Sequence, residues 1–515
     1  MDVILNNLLI LTVFFPLASA LVIFVLPDDA KDTIKRLALL FSLVPLVLVL
    51  VMWFNYDRID AGMQFQTMVN WFPSIGSSFH IGVDGISLAM LLLTTLLTPL
   101  AILASFEIEE NVRTYMFLFL LMETAMMGLF VSLDLIIFFI FWEFGLVPMY
   151  FLIKLWGGKD REYASFKFII YTMAGSLGLL LAIQVIGISM RTFDIPQLMN
   201  DWVNLAPGTL LPNTGISVDL VKGIAFWAFV IAFAIKVPIW PFHTWLPDAH
   251  TEAPTAGSII LAGVLLKMGT YGLIRFNLPL FPEAAYRYAP YIAVLAIIGI
   301  IYGAIVSFAQ KDVKKLVAYS SISHLGFVTL GIFSLNAAGI QGAILQGVNH
   351  GLSTGALFFL VGVLYEQTHT RDMAAYGGVW KIMPVFSVLS LIVVLSSMGL
   401  PGLNGFVGEF TILLGSMGAE SLAPRPWIFT AFATTGVILA AVYLLWMFQR
   451  VFMGPAETKE VKGLRDMNRG ELAIMLSFLL FIFWIGIAPS LYFHLMDSSV
   501  SALVSHLSSS LMALR

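Results

Sequence analysis

Stretches of about twenty apolar residues recur from one end of the chain to the other, each long enough to cross a hydrocarbon core roughly 30 Å thick. No other feature narrows the fold as far. In hydrocarbon every backbone N–H and C=O must be bonded within the protein, so such stretches become helices or close into barrels. A barrel needs short strands of alternating polarity, and runs such as LLILTVFFPLASALVIFVL do not alternate. Composition agrees: 59% of the 515 residues are hydrophobic and 11% charged, against about a quarter charged in soluble domains. So few charges cannot cover a water-exposed surface. The sequence predicts an all-α polytopic membrane protein of about fourteen transmembrane helices, one continuous bundle rather than a string of soluble domains.

The expected spans are 4–26, 35–54, 84–105, 113–132, 134–153, 164–188, 221–241, 254–275, 288–308, 316–334, 341–364, 382–415, 427–450 and 471–491. The links 55–83 and 191–220 contain Pro, Gly and Asn and read as loops with short elements. The run from Leu8 to Leu26 is long for a signal-peptide core, follows an acidic Asp2 and lacks a cleavage pattern, so it reads as a retained first helix. Basic residues gather in the links after odd-numbered spans, among them Lys31, Lys35, Arg36, Arg113, Lys154, Lys159, Arg161, Lys311, Lys314, Lys315, Arg371 and Lys459. The positive-inside rule then puts both termini on the non-cytoplasmic side of the plasma (cell inner) membrane. The link after the seventh span is the exception, with no Lys or Arg.

The formal charge of −4 and the lack of a basic tract speak against nucleic acid. The absence of cysteine excludes disulfides, thiolate chemistry and Cys-ligated iron–sulfur clusters within the chain. No nucleotide-binding motif and no nucleophile with a base stand out, so no cofactor site is expected in this chain.

A few charges fall inside the spans, where an ionised group costs from a few to about 10 kcal/mol and persists only when paired, hydrated or functional. Glu143 lies mid-span in FFIFWEFGLVPMYFL, and Lys236 lies in FVIAFAIKVPIWPFHTWLP, ahead of Pro238 and Pro241. Proline opens the helix ladder, and the freed carbonyls need water or protein. A lysine at such a break can meet water, and burial and a nearby carboxylate act on it in opposite senses. The alternative is a static Glu143–Lys236 salt bridge pinning two helices. Lys267 lies about a dozen residues into its span among small residues, too deep for easy snorkelling. His324 and His350 can each take one proton while giving up another, or simply pack with hydrogen bonds. Glu409 follows GLPGLNGF, which cannot be regular helix throughout. The seventh and twelfth spans thus share a break beside an isolated charge, a pointer to inverted repeats around an ion site. Glu123 is a weaker candidate. His243, Asp248, His250 and Glu252 have no metal-ligand spacing and read as a loop capping the bundle.

These residues sit in stretches with a wider resemblance: HIGVDGISLAMLLLT from His80, FWEFGLVPMYFLI from Phe141, KVPIWPFHTWLPDAHTEAP from Lys236, KKLVAYSSISHLGF from Lys314 and GLPGLNGFVGEF from Gly399. Together they resemble the antiporter-like, proton-translocating subunits of respiratory complex I, NADH–quinone oxidoreductase, and the related Mrp-type cation/proton antiporter subunits. The resemblance covers nearly the whole chain. It implies two inverted five-helix repeats, helices 4–8 in residues 111–275 and helices 9–13 in residues 286–452. Helices 1–3 would occupy residues 1–110, and a C-terminal loop and helix 14 residues 453–515. It also implies that Glu143, Lys236, Lys267, His324 and Glu409 form a hydrated row of proton carriers, to which His350 is added as a further titratable group. FMN, iron–sulfur clusters and quinone would then belong to partner subunits, and quinone reduction there would drive the pumping. Glutamate at position 409, where lysine is common, and the lack of room for a long lateral helix after the fourteenth span resemble the middle member of the set. A Mrp-type Na⁺/H⁺ antiporter subunit and the ferredoxin-driven photosynthetic relative are the alternatives.

Overall fold

The computed structural model describes residues 7–211 and 215–512. Residues 4–6 of the first expected span, with Asp2 and Arg515, lie outside them. Among the described residues twelve helices are long and apolar enough to cross a membrane, and Leu8–Phe24 and Pro384–Ser397 are shorter apolar ones. In chain order the main elements are α1 (Leu8–Phe24), α2 (Lys31–Asn55), β1 (Gln64–Phe72), β2 (Ser77–Val83), α3 (Gly85–Leu103), α4 (Val112–Val131), α5 (Leu135–Trp156, interrupted at Gly145) and α6 (Arg161–Met190). They continue with α7 (Ile195–Asp201), α8 (Val218–Lys236), α9 (Trp245–Glu252), α10 (Thr255–Leu280), α11 (Pro282–Phe308) and α12 (Val313–Phe333). The last are α13 (Ala337–Thr368), α14 (Pro384–Ser397), α15 (Asn404–Met417), α16 (Pro426–Phe452), α17 (Arg469–Ile487) and α18 (Ser490–Met512).

Helix starts follow the polar residues left at span ends. Asp84, Asp134 and Asp312 each accept backbone N–H bonds from the first turns of α3, α5 and α12, satisfying donors that have no partner within the helix. Asn336 does the same for α13, and Asn468 forms a reciprocal capping box with Glu471 at α17.

Burial divides the bundle. Helices α10 and α13 are enclosed along their most apolar stretches, and α12 nearly so, whereas α2, α16 and α17 turn most of their surface outward. The enclosed pair can approach because glycines face each other: a Cβ on Gly351 would lie 2.9 Å from the Gly263 carbonyl oxygen. Small residues at such crossings replace the hydrophobic drive that lipid cannot supply.

Helix α8 stops at Lys236, residues 237–244 form turns, and α9 resumes the path. Trp245 donates from Nε1 to the Ile235 carbonyl at 2.8 Å, satisfying an acceptor at the interruption. A second gap separates α14 from α15, with Gly399 and Gly402 at φ +81° and +92°. There Asn349 of α13 donates to the Asn404 carbonyl at 2.7 Å, and Ser353 to Asn404 Oδ1 at 3.2 Å.

The link 55–83 holds an antiparallel hairpin, β1 with β2, fastened by His80 to Asp194 at 2.5 Å and by Ser77 to Asp134 at 3.1 Å. Beyond the fourteenth expected span the structure adds α18, a helix not expected from the sequence. Its Ser, His and Asp residues dilute its hydropathy below that of a span. It is anchored by Ser499 Oγ accepting from the Gly85 N–H at 3.0 Å and by Asp497 accepting from Gln341 at 2.6 Å.

Candidate proton-transfer site

The enclosed helices carry the charges. Lys267 of α10 is fully buried, and its Nζ donates to the Ala262 carbonyl at 2.5 Å and lies 2.6 Å from His350 Nδ1. Ala262 lies in a π-helical turn, Leu261–Leu265, just before the lysine. Wide turns of this kind disturb the regular carbonyl ladder and recur at functional positions. The His350 ring on α13 is 6.0 Å from the His324 ring on α12, centroid to centroid. His324 Nδ1 is 2.8 Å from Glu409 Oε1 on α15, and its Nε2 is 3.2 Å from the Tyr443 hydroxyl on α16. Gln346 donates to the same Glu409 oxygen at 3.0 Å. Lys267, His350, His324 and Glu409 thus form one buried row across four helices, and each is a group that can hold or release a proton.

Lys236 ends α8 at the interruption, 1% exposed, with Nζ bonded to no group among the described residues and 5.1 Å from the centre of the Trp142 ring. Trp142 is oriented by its own Nε1–H bond to Ser176 at 2.9 Å. A cation over an indole face gains from the ring quadrupole, which partly replaces lost hydration. Helix α8 meets α10 at Gly269, where an added Cβ would lie 3.1 Å from Lys236 Cβ. Gly269 is two residues beyond Lys267, which turns from a different face of α10 toward His350. Glu143 ends the first segment of α5, half-buried, and one of its carboxylate oxygens has no partner. Among the described residues no Glu143–Lys236 ion pair closes within 4.0 Å. The static bridge weighed from the sequence is therefore not formed in this conformation. Glu123 is fully buried on α4, with neither oxygen bonded among the described residues.

Some contributors escaped the sequence reading. Gln346, Asn349 and Ser353 recur with the expected His350 at helical spacing on α13, a polar stripe visible in the sequence beyond its one histidine. Tyr443 carried no signal, being one more aromatic on a lipid-facing helix. The acidic link after the seventh span, lacking Lys or Arg, borrows its cations: Asp248 pairs with Lys167 at 2.7 Å, and Glu252 with Arg371 at 3.4 Å. Among the described residues no group of three metal-ligating side chains converges, at His243 and His250 or elsewhere.

Fold and site together define a polytopic helical membrane protein with a row of titratable side chains inside it. The profile of the family "NADH:quinone oxidoreductase/Mrp antiporter, TM" matches residues 132–440. NADH-quinone oxidoreductase subunit M of Rhodobacter capsulatus is 42% identical, over 97% of each chain. NADH-ubiquinone oxidoreductase chain 4 of Marchantia polymorpha is 40% identical, over 96% of each. A chain of respiratory complex I from Thermus thermophilus with bound NADH superposes with a TM-score of 0.85 at 31% identity, over 97% of this chain and 99% of that one. The Mrp complex from Dietzia shares the fold, at TM-score 0.80 and 23% identity over 98% of this chain and 52% of that one. The chain belongs to the NADH:quinone oxidoreductase/Mrp antiporter transmembrane family.

Proposed function

We propose that this chain is a proton-translocating membrane subunit of NADH–quinone oxidoreductase, matching the relatives named subunit M or chain 4. The observation that carries the reading is the buried row Lys267–His350–His324–Glu409, hydrogen-bonded in two pairs whose imidazole rings lie 6.0 Å apart. In a purely structural bundle, apolar residues of like volume would fill these positions at no desolvation cost. Each proton taken at one end of the row is balanced by one released at the other. Lys236, beside the interruption of α8 and near Glu143, serves as the loading group, and Glu409, beside the gap before α15, as the far terminus. FMN, iron–sulfur clusters and quinone belong to partner subunits, where quinone reduction supplies the energy.

The finer architecture belongs to the same reading: fourteen crossings, with α14 and α15 making one, and two inverted repeats of five. It is supported by a recurring local pattern. Asp134 caps α5 and bridges to Asp194, and Asp312 caps α12 and bridges to Asp372. An odd number of crossings separates the two caps, so they face opposite sides. The acidic link around Asp248 and Glu252 sits among Lys167, Lys314 and Arg371, which supports placing it on the basic, cytoplasmic side with both termini opposite.

The test is Lys236→Ala in the complete complex, reconstituted in proteoliposomes, with assembly measured separately. Proton uptake and coupled quinone reduction are expected to fall by about 10²-fold. Wild-type pumping by an assembled variant would falsify the reading. Copurification with flavin- and iron–sulfur-bearing partners is expected, and copurification with antiporter subunits alone would favour the Mrp-type alternative.

A further inference from the structure

We propose that His250 carries protons between a polar cleft at the basic end of the bundle and the buried Lys267–His350 pair. The inference rests on the proton-translocation reading. His250 lies on α9 with 0% exposure, its ring parallel to that of Phe358 at 4.5 Å between centroids and 11° between planes. Among the described residues neither ring nitrogen has a hydrogen-bond partner. Buried polar atoms are almost always bonded, and where protein offers nothing, water does so.

Helices α10 and α13 give a ruler for its depth. They run antiparallel, with Thr255 beside Gly362, Ile259 beside Gly355, Gly263 beside Gly351 and Lys267 beside Gly347. Phe358 places His250 between the first two of these levels. At 1.5 Å per residue, Glu366 lies ~12 Å from Phe358 toward one end of α13, and His350 lies ~12 Å toward the other. Glu366 belongs to the wall of a cleft of about 210 Å³, with Glu107, Tyr115, Glu252, Lys314 and Arg371. Thr251 and Glu252, which follow His250 directly, also line it. His250 therefore stands midway between a water-accessible group of carboxylates and the inner end of the row.

The segment bearing it is held from several sides. Lys167 pairs with Asp248 at 2.7 Å, the Gly158 N–H donates to the Glu252 carbonyl at 2.9 Å, and Lys314 donates to the Ala253 carbonyl at 2.5 Å. A neutral imidazole so fixed takes a proton on one nitrogen and releases the other nitrogen's proton on the opposite side. The ring returns to neutrality, and short water files connect it to the cleft and to Lys267.

The experiment compares His250→Phe and His250→Gln with Lys267→Ala in the complete complex in proteoliposomes. Phenylalanine keeps the flat ring against Phe358, and glutamine keeps hydrogen bonding without titration. Both are expected to lower proton uptake at least ~10-fold, together with Lys267→Ala. Normal pumping by an assembled His250→Phe variant, with Lys267→Ala inactive, overturns this inference and leaves the function standing. Normal pumping by Lys267→Ala overturns the function itself. Where the His250 variants do not assemble, C2-hydrogen exchange of the wild-type imidazole in D₂O decides by mass spectrometry. Exchange at His250 on the timescale of exposed His494 supports the inference, and a ring that does not exchange overturns it.

Discussion

At the residue scale, the members of the proposed relay are held against one another rather than dissolved singly in hydrocarbon. His324 shows the division of labour. Its Nδ1 faces Glu409, through which a proton can pass, and its Nε2 faces Tyr443 at 3.2 Å. The tyrosine is a fixed partner that orients the ring. Tyr443→Phe removes one hydrogen bond, ~1 kcal/mol, and is expected to slow coupled quinone reduction no more than about fivefold. Turnover of the assembled complex checks it, and complete loss would make the hydroxyl a proton carrier in its own right. Individual members were legible at this scale. Lys236, Lys267 and Glu409 stand out because nothing nearby in sequence neutralises them. Their partners were not legible: Lys267 and His350 are 83 residues apart, and His324 and Glu409 are 85.

At the element scale, close approach of α10 and α13 sets the spacing of the row. The crossing depends on facing glycines, and Gly351→Val would drive carbon into the Gly263 carbonyl and the Leu93 methyls, about 3 Å from its Cβ. Overpacking of this kind costs ~1–3 kcal/mol. The expected outcome is a lower yield of assembled complex and a lower thermal midpoint. Gly223→Val is the control, since nothing lies within 4 Å of its added Cβ, and it should leave both unchanged. The spans themselves were legible because hydrocarbon forces helices out of apolar runs. Helix α18 was not, because it is stabilised by packing on α3 and α13 rather than by its own hydropathy. The hairpin β1–β2 was likewise hidden, since its fastening residues Asp134 and Asp194 come from distant links.

At the scale of the molecule, an enclosed, charge-bearing core of α10, α12 and α13 is wrapped by helices that face lipid. The proposed orientation rests on the basic links, and the acidic link after α8 is grouped with them because the fold brings Lys167 and Arg371 to it. The chain has no cysteine, so single introduced cysteines report sidedness without background. Lys159→Cys, between α5 and α6, should react with a membrane-impermeant maleimide in inside-out vesicles. Asn204→Cys, between α7 and α8, should react in right-side-out vesicles. Labelling of both from one side would reverse the topology.

Taken alone, the order of residues determined that this chain crosses a membrane many times and which ionisable groups are stranded at depth. The solvation cost of charge and of unpaired backbone is a local property, and it can be read one segment at a time. Only the tertiary structure decided that Lys267 meets His350, that Glu409 meets His324, that Glu143 and Lys236 close no ion pair, and that His250, unbonded among the described residues, lies between the cleft and the row. Those are meetings between helices, set by how side-chain surfaces fit across the bundle, and no single segment contains the information that selects them.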